Sequence, residues 1–91
     1  MPTITLEKPL QSGDHTIDKI ELREPKAGEM RGLKNAELMM QDYNHTKMLL
    51  PRITTPTITG ELFDELSLSD ATQLMNQIVL FLAGKNFSVT T

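Results

Sequence analysis

The 91-residue sequence contains no cysteine and no tryptophan. Without thiols there is neither a disulfide framework nor a thiolate metal site, and a reducing cytoplasm becomes the default setting. One tyrosine and three phenylalanines are too few for the aromatic platform on which single-stranded nucleic acid stacks. No apolar run approaches the roughly 18 to 20 residues needed to span a bilayer. The opening MPTITLEKPLQ lacks the basic stretch and apolar core of a signal peptide. Concentrated positive charge is missing as well. The net charge is −3, with six acids and four bases in residues 1–30, two and four in residues 31–52, and four and one in residues 53–91. Such a weakly basic middle falls short of the several phosphate contacts that duplex binding requires. Neither nucleic acid nor membrane is an expected partner.

Catalytic and metal-binding patterns are equally sparse. His15 and His45 are the only histidines, and neither has a His or Glu at helical i+3 or i+4 spacing, whereas a metal site needs three or four converging ligands. Asp42, three residues before His45, reads as a helix cap or solvated pair. Glu61, Asp64 and Glu65 crowd one short segment, but acid–base work would need a cleft that shifts their pKa values. The five glycines form no phosphate-cradling motif. No catalytic residue, cofactor or metal ligand is expected.

What is present is alternation followed by helical periodicity. Thr3–Glu7 alternates, with Ile4 and Leu6 on one face, which predicts a strand that Pro9 stops or confines to an edge. Ser12-Gly13-Asp14 is turn chemistry, and His15–Arg23 reads as a second strand closed by Pro25. Ile17 is out of phase with Ile20 and Leu22, so a bulge or twist is expected near Asp18-Lys19. Ala27, Met30 and Leu33 suit a short helix weakened by Gly28 and Gly32, while Asn35–Gln41 is ambiguous. Asp42 caps a helix running to about Leu50, on which Thr46, Leu49, Leu50 and Ile53 share a face. Pro51 is expected to end or kink it, and Ile53–Ile58 to be extended. Thr59 caps a short helix, and Ser67 caps the last, with Asp70 completing a variant capping box. Leu68, Ala71, Leu74, Met75, Ile78 and Leu82 form its apolar stripe, with Gly84 placed just past its end. The expected fold is therefore α+β. An N-terminal β-hairpin (about 3–24) is followed by three to four short helices packed on it (about 26–83), ending in one amphipathic helix. Residues 1–85 form a single small domain and 86–91 a flexible tail.

Two features favour association. Met30, Met39, Met40 and Met48 fall close together in a chain poor in aromatics, and flexible, polarisable Met suits adaptable surfaces as well as small cores. Val79, Leu80 and Phe81 widen the last helix's stripe beyond one core face, with Val79 and Phe81 read as off-stripe. Met39, Met40, Met48, Leu49, Phe63, Met75, Val79 and Phe81 are the candidate partner-binding residues.

The strand ending in Arg23-Glu24-Pro25, the Met/Leu-rich segment, Leu-Leu-Pro-Arg-Ile-Thr at 49–54, and Leu66–Asp70 opening a helix that closes on Val79-Leu80-Phe81-Leu82 together carry a resemblance. Over about residues 3–83 the chain resembles the small tail assembly chaperones of contractile-tailed phages, the E-type family encoded next to the tape measure gene. Gly60 departs from it, standing where a stronger helix former would be expected. The resemblance implies a non-enzymatic protein of the bacterial host cytoplasm, absent from the mature virion. Its partner would be the tape measure protein, with the tail tube protein second and self-association open. Pro51 and Pro56 would then separate two helices whose apolar faces pack together or part as a groove. The resemblance also implies a longer product made by −1 frameshifting near Gly84-Lys85-Asn86, which GGA-AAA-AAC can encode with the slippery run A-AAA-AAC. The alternative reading is a structural tail completion or connector protein of a phage or phage-like particle.

Overall fold

A computed structural model describes residues 2–87 of the chain. Strands β1 (Thr3–Ser12) and β2 (His15–Leu22) form an antiparallel hairpin, and the two-residue β3 (Thr54–Thr55) adds to the far side of β2. Gly13, at φ 62°, supplies the left-handed position of the hairpin turn. A 3-10 turn at Ala27–Met30 precedes helices α1 (Asn35–Met39), α2 (Tyr43–Ile53), α3 (Gly60–Glu65) and α4 (Leu68–Phe87). The α+β architecture, with its hairpin first and its longest helix last, is the one the residue pattern predicts.

The hairpin carries an irregularity opposite the expected place. Thr5 pairs with Lys19 but Leu10 with Ile17, so Leu6–Pro9 stand across from Asp18 alone. The extra residues lie in β1, facing Asp18, and β1 passes through Pro9 as an edge strand, one of the two outcomes expected of that proline. A bulge has no ladder bond for Pro9 to lose. The resulting twist turns Leu6, Leu10, Ile17, Ile20 and Leu22 all inward.

Asp70 makes that bulge affordable. Its carboxylate, fully buried, accepts from the backbone N–H of Glu7 at 2.9 Å and of Lys8 at 3.1 Å. The Ser67 hydroxyl caps α4 by accepting from Asp70 N at 3.1 Å. The reciprocal half of the expected capping box is therefore replaced by a bond to β1, and the start of α4 is fastened to the hairpin. Burial opposes ionisation of Asp70, but the hydrogen bonds from Glu7 and Lys8, with a further contribution from the Ser67 hydroxyl, hold its carboxyl below the usual range.

Helix α2 begins where the sequence places it. Asp42 accepts from His45 N at 2.8 Å, and Thr46, Leu49, Leu50 and Ile53 are its buried residues. Pro51 does not stop it at Leu50. The helix runs on to Ile53, because a proline in a last turn forfeits a single ladder bond. Thr54 then donates through its hydroxyl to Leu50 O at 2.7 Å and accepts from Ile58 N at 2.9 Å, fixing the exit. The extended stretch is accordingly shorter than predicted, starting at Thr54.

Thr59 caps α3 as expected, accepting from Leu62 N at 3.3 Å. The departure at Gly60 also has a local reason. A Cβ there would lie 2.8 Å from Lys47 Cε, where the lysine stem crosses on its way to Asp64, 2.8 Å from its ammonium. Gly84, at φ 64°, breaks α4 where a terminal glycine was predicted, although helical turns resume as far as Phe87. Most of the predicted tail, residues 88–91, lies outside the described residues.

Candidate functional site

The helical layer holds the exposed apolar side chains. Met40 (80% exposed), Tyr43, Met48, Leu68 (70%) and Leu80 (64%) stand open to solvent, all on or beside α1, α2 and α4. Helix α1 packs chiefly against α4, and α2 against α3.

The predicted contact residues divide sharply. Met40 and Met48 are exposed, and Met39 and Val79 are half-buried. Leu49, Phe63 and Met75 are core residues in this conformation, not open surface. Phe81 is half-buried against the core and is not off-stripe, since it lies i+3 from the buried Ile78 and i+7 from Leu74. Leu80 points away instead. Leu68, assigned to the stripe, is exposed at the first helical position. Tyr43, Leu68 and Leu80 are thus surface residues that residue-by-residue reading passed over, although the excess width of the stripe at 79–81 signalled the region.

Two polar networks fasten the segment between β2 and α2. Arg23 grips the Glu29 carboxylate with both guanidinium nitrogens, one at 2.6 Å, and also donates to Arg52 O. Arg52 Nη1 in turn donates to the carbonyls of Glu29 at 2.6 Å and Arg31 at 3.1 Å. The Arg23 hydrogen bond first, and that from Lys26 N–H second, hold the Glu29 carboxyl down at about 2. Two stretches read as separate motifs, Arg23-Glu24-Pro25 and Leu49–Thr54, thereby meet in one cluster. At the other end of the segment, Gln41 Nε2 donates to Asn76 Oδ1 on α4 at 2.6 Å.

The titratable groups weighed as chemistry find other work. Asp42 lies 2.8 Å from His45 Nδ1, and the ring's hydrogen bond, then the His45 backbone N–H, hold its carboxyl below the usual range. Glu37 joins this pair, with donor atoms of all three within 4.8 Å of one another, a third member that helical spacing could not reveal. The cap bonds already use the Asp42 carboxylate. Glu61, Asp64 and Glu65 are all exposed. No helix among the described residues is long and apolar enough to cross a membrane.

Residues 3–83 match the family described as phage tail assembly chaperone proteins, E, or 41 or 14. The chain is similar to tail assembly protein E′ of Escherichia phage P2, 32% identical over 87 residues, 96% of this chain and 61% of that protein. It is likewise similar to tail assembly protein E of the same phage, 32% identical over 80 residues, 88% of each chain. The chain therefore spans less than two thirds of the longer relative. No solved structure matches.

Proposed function

This chain belongs to the phage tail assembly chaperone family, and on that premise we propose that it binds the tape measure protein and keeps it soluble until the tail tube polymerises around it. It acts in the host cytoplasm, without catalysis, and leaves before the tail is complete. The observation that carries this reading is the concentration of exposed apolar side chains, Met40, Tyr43, Met48, Leu68 and Leu80, on the helical layer. A long helical partner awaiting its tube exposes apolar faces that would otherwise aggregate, and helix-on-helix contact covers them. Met side chains adapt to an irregular partner face better than branched residues do.

Co-expression with the neighbouring tape measure gene and recovery through a tag on this chain is the test. Tape measure protein in the eluate is the expected result, and its absence at equal expression contradicts the proposal. Met40→Ala with Met48→Ala should reduce that recovery severalfold while changing stability by less than about 0.5 kcal/mol, as for exposed positions generally. A loss of ~2 kcal/mol would instead make these residues part of the core.

We further propose a longer product from the same gene. The two phage P2 relatives differ in length over the shared match, this chain covering 88% of E and 61% of E′. Gly84 interrupts α4 beyond its buried face, so a change of frame at Gly84-Lys85-Asn86 leaves intact the core contacts of residues 2–84 with one another. An added module would raise the effective concentration of a second binding site on the same partner. The nucleotide sequence decides this. A slippery run at these codons with an overlapping −1 frame is expected, and a sequence without both ends the idea.

A further inference from the structure

Three side chains that no helical spacing links meet at the junction of α1 and α2. One donor atom each from Glu37, Asp42 and His45 lies within 4.8 Å of the other two, the one such group among the described residues. The turn between the helices brings them together. Gln41 takes a left-handed conformation (φ 60°), and Asp42 N donates to Glu37 O at 3.0 Å, which folds Asp42 back beside α1. His45 stands one helical turn on from Asp42, with its Nδ1 2.8 Å from Asp42 Oδ2. All three residues are half-buried. Glu37 belongs to none of the ion pairs found among the described residues, and Asp42 pairs there only with His45. Two carboxylates thus face one imidazole, with no lysine or arginine paired to either.

We propose that Glu37, Asp42 and His45 bind a divalent first-row cation of the zinc class, with water completing its coordination. The inference does not depend on the chaperone reading. Two oxygens and an imidazole nitrogen select that class, because imidazole suits zinc, cobalt or nickel, whereas magnesium and calcium prefer oxygen alone. Three protein ligands with one solvent position are an established zinc arrangement. Ligands held about 2.0 to 2.1 Å from a tetrahedral ion stand roughly 3.3 to 3.5 Å apart. Small rotations of the Glu37 and His45 side chains bring the set to that spacing. The backbone cap bond from His45 N ends on Asp42 Oδ2, so Oδ1 ligates while the cap on α2 is kept. The cation ties α1, five residues long and too short to be stable alone, to the first turn of α2.

Calorimetric titration of zinc into the tag-free, chelator-stripped chain tests this. One equivalent should bind with a dissociation constant below about 100 µM. His45→Gln and Glu37→Gln should each weaken binding by at least the roughly tenfold that even outer-shell partners cost. His15→Gln, which removes the other histidine, should leave it unchanged. Circular dichroism checks that the variants are folded. A second measurement needs no variant. On zinc addition the ring nitrogen signals of His45 should move in NMR spectra while those of His15 stay. Weaker binding, binding that survives His45→Gln in a folded chain, or His45 ring signals that do not move would each overturn the proposal.

Discussion

Asp70→Ala is expected to destabilise the protein by about 3 kcal/mol, because two backbone N–H groups lose a charged acceptor at once and hydrogen bonds to charged groups contribute about 1.5 to 3 kcal/mol each. Glu7 and Lys8 lie in the β1 bulge, where the β2 ladder offers them no partner. A domain of this size has a total stability near the lower end of the usual range of about 5 to 15 kcal/mol, so the variant should be close to unfolded at ambient temperature. Urea denaturation measures it as a shift of midpoint at unchanged slope. A shift worth less than ~1 kcal/mol would show that the bulge does not depend on Asp70. The pH dependence gives a separate signature. The folded carboxyl titrates below its unfolded value of about 3.9. Its contribution is therefore complete above that value and is lost as pH falls through the lower folded pKa. Asp70→Asn, which keeps one acceptor oxygen but no charge, should flatten the acid limb of the stability profile.

Leu50→Ala should cost about 3 kcal/mol, within the range of roughly 2 to 5 kcal/mol for truncating a buried leucine. Leu50 is wholly inaccessible, and its neighbours Leu49 and Ile53 hold α2 in the same core cluster. Relaxation around the hole is limited here because the following turn is fixed by the Thr54 hydroxyl bonds to Leu50 O and Ile58 N. Thermal or urea unfolding checks the value, and a cost below ~1 kcal/mol would contradict the packing described.

The two sites differ in how far the chain alone discloses them. The buried face of α2 was legible because burial on one helix follows a 3.6-residue period, and Asp42 lies directly before it as a cap. Asp70 was legible only as a helix-start residue. Its partners lie 63 and 62 residues away in the bulge, and no local pattern encodes a bond that the fold creates. The bulge itself left a trace in the broken phase of Ile17 against Ile20. A slip in register can be absorbed by either strand, however, and β1 absorbed it.

The candidate surface shows the same division. Met40 and Met48 were found by composition and are exposed, whereas the further candidates Leu49, Phe63 and Met75 are in the core. Apolar side chains suit a partner and a core equally, so their chemistry does not separate the two. Phe81 and Leu80 exchange roles for a geometric reason, since one residue along a helix turns a side chain by about 100°. The packing of α1 on α4 was not legible at all, because five residues carry too little periodicity to show which neighbours they join.

In the function proposed above, this chain would keep the tape measure protein out of aggregates by covering its apolar helix faces. Cell-free synthesis of the tape measure protein with increasing amounts of purified chain, followed by sedimentation, tests it most directly. The soluble fraction should rise with added chain and saturate at a fixed ratio. It should rise much less with the Met40→Ala, Met48→Ala variant at equal concentration. A tape measure protein that sediments to the same extent with and without the chain would contradict the claim.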